Sequence, residues 1–176
     1  FEEYRKHDAL GLAERVKKGD TTAEALVEAA IRRIESVNPA LNAVIHKLYD
    51  EARAAAKQTD RNAPFAGVPF LMKDLGMEIK GVPMRSGCRG YNNFVSEQDS
   101  FAVQKMRAAG LIFLGKTNTP EFGLTPFTEP LLFGPTHNPW NTEFTTAGSS
   151  GGSAAAVASG MVPMATANDG GGSIRM

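Results

Sequence analysis

The sequence predicts an α/β domain. Two observations carry that expectation. Short apolar runs of strand length flank a helical segment in the middle of the chain, and capped helical patterns precede them.

Residues 8–18 read as a first helix ended by Gly19, and residues 21–37 as a second, with Thr21 and Glu24 in capping-box spacing. Leu26, Val27, Ala30, Ile31 and Ile34 give the second helix an apolar stripe, and Asn38-Pro39 is expected to stop it. A short strand at 43–46 and a polar helix at 49–58 lead into the turn-rich residues 61–67. Val68-Pro69-Phe70-Leu71-Met72 reads as a buried strand closed by Lys73-Asp74. Asp99 is placed to cap a helix over 100–109, and residues 111–114 form a β-type run behind Gly110. Residues 115–147 carry prolines at 120, 126, 130, 135 and 139 and read as a wrapping segment. A serine- and glycine-rich stretch, 148–153, then opens an alanine-rich helix. Residues 161–167 suit an internal strand, and Asp169-Gly170-Gly171-Gly172-Ser173 follows it.

The 176 residues hold 19 Lys+Arg against 19 Asp+Glu, so no basic surplus exists to neutralise phosphates, and nucleic acid is not an expected partner. The single cysteine, Cys88, cannot close an internal disulfide and reads as packing, which makes a cytoplasmic setting the default. Residues 1–6 lack the apolar stretch of a secretory signal, and the least charged stretch, 154–167, is interrupted by Ser159, Gly160 and Pro163, so no membrane span is expected. The charges themselves are unevenly spread. After residue 130 only Glu143, Asp169 and Arg175 occur, which suggests a buried layer rather than a solvated face.

Two motifs mislead. Gly110-Leu111-Ile112-Phe113-Leu114-Gly115-Lys116-Thr117 fits the phosphate-loop pattern, but a phosphate cradle needs a flexible loop opening a helix, whereas Leu-Ile-Phe-Leu is a strand and Pro120 follows. Gly148-Ser149-Ser150-Gly151-Gly152 fits the nucleophile-elbow pattern at Ser150, but no histidine follows His137 to complete a triad. His7, His46 and His137 stand in no motif with an acid or a nucleophile.

A third constellation is more specific. Gly67-Val68-Pro69 with Lys73-Asp74, Lys80-Gly81-Val82-Pro83, Gly115-Lys116-Thr117-Asn118 with Glu121-Phe122, Asn138-Pro139-Trp140, residues 148–156, and Asp169 with residues 171–175 occur in an order that resembles the amidase signature family. The resemblance implies an amidase signature fold, with a mixed sheet covered by helices on both sides and incomplete in this chain. Residues 1–176 would be the amino-terminal portion of a single amidase domain, with 1–60 a helical lead-in and 61–176 the start of the catalytic core. It further implies a Ser-cisSer-Lys triad with Ser173 as nucleophile, Ser149 as the bridging serine on a cis peptide, and Lys73 as the base. The amides of Gly170, Gly171, Gly172 and Ser173 would form the oxyanion hole, with Ser150, Asp169 and Arg175 in support.

The implied activity is hydrolysis of a carboxylic amide through an acyl-enzyme on Ser173, without metal or cofactor, on a small-molecule linear or cyclic amide. A homodimer is one candidate assembly. The rival readings are the A subunit of a glutamyl-tRNA amidotransferase, which hydrolyses glutamine, and a non-catalytic scaffold fragment. The nucleophile loop reads Asn168-Asp169-Gly170 where family members commonly have Thr-Asp-Thr. In that respect it resembles the branch containing 6-aminohexanoate cyclic-dimer hydrolase. The family domain continues well past its nucleophile, so the 176-residue piece is expected to be inactive alone, its charge-poor layer needing cover from further chain.

Overall fold

The structure, a computed structural model, describes residues 3–91 and 93–175. Helix α1 (Ala9–Lys18) starts where Asp8 accepts a 2.7 Å hydrogen bond from the Gly11 amide, and it ends at Gly19, whose φ of 81° turns the chain left-handed. Helix α2 (Ala23–Leu41) is capped by Thr22 rather than Thr21, through a 3.1 Å bond from the Ala25 amide. Helix α2 also runs through Pro39 instead of stopping there. So close to the helix end, the missing proline N–H leaves only the Glu35 carbonyl without its helical donor. The stop comes at Asn42 (φ 50°), and the Asn38 side chain accepts from the amides of Ala43 and Val44.

Strand β1 (Val44–Lys47) and helix α3 (Tyr49–Ala56) follow, then β2 (Pro69–Lys73), α4 (Phe101–Ala108) and β3 (Ile112–Thr117). The sheet order is β1-β3-β2, with β1 antiparallel and β2 parallel to β3, so the predicted mixed sheet forms. Every residue of β2 and β3 is buried, as expected of strands covered on both faces. Leu12, Leu26, Val27 and Ile34 from the helices join Leu71, Met72 and Leu114 in one core. Ser100, not Asp99, occupies the N-cap of α4. The Asp99 carboxylate is held instead by the Lys80 amide at 2.8 Å and by Arg107 at 2.7 Å.

Two further expectations change. Residues 161–167 do not form a strand: they meet β2 through a single bridge, Leu71 to Ala165, and the 3.0 Å bond from the Thr166 amide to the Leu71 carbonyl. Pro163 has no N–H to extend the ladder. The charge-poor region is also only partly buried. Helix α5 (Gly151–Ala158) packs on β2 and β3, and Met161 and Val162 are buried, yet Leu131, Trp140 and Phe144 are largely exposed. The wrapping segment is pinned to strand ends by side chains: Asn118 donates to the Gly134 carbonyl and to Thr136 Oγ1, and Thr136 Oγ1 donates to the Asn42 carbonyl. No helix among the described residues is long and apolar enough to cross a membrane.

Candidate active site

The site lies where β2 ends, and Lys73 is that end. Four apolar or proline residues carry the lysine into the core, and its own amide donates to Thr166 Oγ1 at 2.6 Å, so the side chain leaves the strand fully buried. Burial disfavours the ammonium and pulls the Lys73 pKa down to about 8.

Ser149 and Ser150 reach Lys73 because the glycines around them allow close approach. The Gly148-Ser149 peptide is cis, and it follows Ala147 at φ 58°. A Cβ on Gly152 would collide with the backbone of Asn118, so α5 can sit against the end of β3 only with glycine there. The Ser149 carbonyl accepts from Thr119 Oγ1 at 3.1 Å.

Around Lys73 Nζ stand Asn168 Oδ1 at 2.5 Å, Ser149 Oγ at 2.7 Å, Ser150 Oγ at 3.0 Å and Ser173 Oγ at 3.3 Å. Ser149 Oγ is 3.1 Å from Ser173 Oγ, and Ser150 Oγ is nearer still at 2.6 Å. The fold thus gathers three stretches of chain, with Ser149 and Ser150 lying 76 and 77 positions beyond Lys73 and Ser173 lying 100 beyond it. The structure adds two residues that sequence reasoning missed, Asn168 and Thr166. Only the departure from the family pattern at position 168 marked the first.

The loop bearing Ser173 is shaped by its one carboxylate. Asp169 Oδ1 accepts from the Gly172 amide at 2.7 Å and Oδ2 from the Ile174 amide at 3.2 Å. Arg175 grips both oxygens, at 2.8 and 2.9 Å. The Arg175 guanidinium, helped by the Gly172 amide, holds the Asp169 carboxyl well below the usual carboxylate range. Gly172 sits at φ 128°, which disfavours any side chain. Because its N–H is taken by Asp169, the expected set of four free amides narrows to Gly170, Gly171 and Ser173.

A cavity of about 700 Å³ opens over these atoms, lined by Leu75, Leu124, Pro126, Ser149, Asn168 and Ser173. A second, about 200 Å³, also touches Ser173 and is lined by Ala154, Val157, Ala167 and Ile174. No group of three or more His, Cys, Asp or Glu that could hold a metal ion occurs among the described residues. Lys116 does not face the site. It is a buried β3 residue paired with Asp74 at 3.0 Å.

The Amidase family profile matches residues 25–176. The 6-aminohexanoate-cyclic-dimer hydrolase of Paenarthrobacter ureafaciens is 44% identical over 171 residues, covering 96% of this chain and 34% of the relative. The putative amidase AmiC of Mycobacterium tuberculosis is 45% identical over 170 residues, covering 96% and 36%. Among solved structures, 6-aminohexanoate cyclic dimer hydrolase complexed with substrate superposes with a TM-score of 0.92 at 44% identity, covering 96% of this chain and 35% of that one. A bacterial aryl acylamidase of the amidase signature family does so at 0.90 and 41%, covering 96% and 36%. The chain spans about a third of the length of the curated relatives it matches. A conserved architecture over nearly the whole of this chain, together with the family match, leads to one assignment: the chain belongs to the amidase family and has the amidase signature fold.

Proposed function

We propose that this chain carries the catalytic centre of an amidohydrolase that cleaves a carboxylic amide through an acyl-enzyme on Ser173. The observation that carries the reading is the continuous path from Lys73 Nζ to Ser149 Oγ at 2.7 Å and on to Ser173 Oγ at 3.1 Å. Amide cleavage by a serine needs its hydroxyl proton removed, and a lysine can accept one near neutral pH only if its ammonium is disfavoured, as burial does here.

Hydroxyls donate and accept, so with Lys73 neutral each can turn toward the base. Ser149 Oγ–H gives its proton to Nζ while Ser173 Oγ–H gives its proton to Ser149. The freed Ser173 oxygen then bonds to the carbonyl carbon, and the carbonyl π electrons move onto oxygen, where the amides of Gly170, Gly171 and Ser173 are the available donors. When the tetrahedral species collapses, the C–N bond breaks and the proton returns through Ser149 to the leaving amine. Water then attacks the ester by the same relay, releasing the carboxylic acid and restoring Ser173. Ser150, within reach of both Lys73 and Ser173, supports the relay, and Asp169 with Arg175 holds the loop.

Residues 1–60 serve in this reading as a helical lead-in and 61–176 as the start of the catalytic core of one amidase domain. The largely exposed Leu124, which lines the cavity over Ser173, and the largely exposed Leu131, Trp140 and Phe144 support the view that further chain packs on this unit. The substrate is a small linear or cyclic amide, for which the cyclic-dimer hydrolase relatives supply the first compound to try.

A fluorophosphonate probe applied to the full gene product tests the reading. Labelling should fall on Ser173 and be lost in Ser173→Ala and Lys73→Ala, while a panel of aliphatic, aryl and cyclic amides should yield at least one substrate. Absence of labelling together with absence of turnover would defeat the catalytic reading. Ammonia release from glutamine alone would redirect it to an amidotransferase subunit, whose Thermotoga maritima structure superposes less closely, with a TM-score of 0.81 at 33% identity.

A further inference from the structure

Of the four oxygens around Lys73 Nζ, three belong to hydroxyls that can each donate or accept. The fourth, Asn168 Oδ1, is the nearest and can only accept. Its orientation is fixed at both ends. The Asn168 amide nitrogen lies 3.4 Å from the Leu75 carbonyl, an acceptor, so the NH2 must face Leu75 and the oxygen must face the lysine. One Lys73 N–H is therefore committed to Asn168 in either protonation state.

We propose that Asn168 is the positioning residue of the base: its neutral carboxamide takes one Lys73 N–H and turns the remaining valences of Nζ toward the serines. A neutral amine has two hydrogens and one lone pair. With one hydrogen on Asn168, a single hydrogen and the lone pair are left to the hydroxyls, and tetrahedral geometry directs them to the side where Ser149 and Ser150 stand. The acceptor must also be uncharged. A carboxylate at the same place would hold the ammonium and silence the base, whereas a carboxamide orients without that penalty.

The surrounding charges are arranged consistently with this division. On the strand side, the Asp74 carboxylate is taken by Lys116 Nζ and by the Arg85 amide. On the loop side, the Asp169 carboxylate, adjacent in sequence to Asn168, is gripped by Arg175 and two amides. Helix α5 carries no charged residue, and the one acid in the turn beside Ser149, Glu121, is exposed. The Asn168-Asp169 dipeptide thus assigns the uncharged acceptor to the base and the charged one to the loop.

This inference rests on Lys73 acting as the base, and its test separates the two. In the full gene product, the pH dependence of kcat/KM is measured for Asn168→Asp and Asn168→Ala beside wild type and Lys73→Met. Asn168→Asp should move the acid limb upward by about 1–3 pH units, the effect of an opposite charge in contact, so that activity lost at pH 7 returns at high pH. Asn168→Ala should lower kcat roughly 10-fold or more with KM within about threefold and no upward movement of the limb, as expected when an orienting contact is lost. An unmoved limb in Asn168→Asp, or wild-type kcat in Asn168→Ala, would overturn the proposal. If the aspartate variant lacks a cooperative melt, the kcat of the alanine variant decides. Wild-type activity in Lys73→Met would instead overturn the base assignment itself.

Discussion

Lys73 and Lys116 stand near the carboxyl ends of neighbouring parallel strands, one register step apart, and both are fully buried. Their surroundings differ in one respect. Lys116 faces the Asp74 carboxylate at 3.0 Å, so although burial pulls its pKa down, the carboxylate pulls it back up. Lys73 faces three hydroxyls and a carboxamide, none of them charged, and burial acts on it unopposed. Burial alone therefore does not make a base. On the proposed mechanism, the identity of the acceptors decides whether a buried lysine is a structural cation or a proton acceptor.

The sharpest way to break this comparison is to remove each lysine in turn. Lys73→Met should lower kcat/KM on the order of 10⁴-fold, as removal of a member of a catalytic triad does, and leave the cooperative melt intact. Lys116→Met should do the reverse, costing about 3–5 kcal/mol of stability because Asp74 is left buried without its partner. If the two variants exchanged these phenotypes, the assignment of roles would be inverted.

The pH dependence of stability gives the next effect. The folded-state pKa of Lys73, about 8, lies below its usual 10.5, so the folded chain binds fewer protons between those values. Stability then rises with pH across that window, by about 3 kcal/mol for a shift of this size. Below pH 8 the penalty is present in full. Denaturant titrations at pH 7 and pH 10 should show wild type gaining relative to Lys73→Met.

Within the relay, Ser149→Ala should cost more than Ser150→Ala. In the proposed mechanism the Ser149 hydroxyl carries the proton, whereas Ser150, although 2.6 Å from Ser173, would contribute a side contact whose loss is worth roughly tenfold. Equal losses would make the two hydroxyls parallel arms. Smaller again is Arg175→Lys, which keeps the charge but loses the two-pronged grip on Asp169. A few-fold fall in kcat, with larger loss in Asp169→Ala, is expected from steady-state kinetics on the best substrate.

Much of this arrangement was legible in the sequence. An apolar run closed by a lysine, a serine-glycine stretch opening a helix and a glycine loop ending in serine are local patterns, and each folded as read. The contacts that were not legible are long-range and carry no local signature. Asn168 meets Lys73 across 95 positions, and Thr166 meets the Lys73 amide across 93. In the loop, four consecutive amides look equivalent in sequence, but the reach of the Asp169 side chain selects Gly172. Proline at 39 misled because its cost depends on how near the helix end lies, and the low charge after residue 130 misled because uncharged side chains such as Trp140 also stand exposed.

The most direct test of the central claim is the rate of fluorophosphonate labelling of Ser173 as a function of pH, with and without Lys73. If a neutral Lys73 draws the Ser173 proton through Ser149, the rate climbs through a single limb near pH 8 and the limb disappears in Lys73→Met. A limb of the same position and height in Lys73→Met would contradict it.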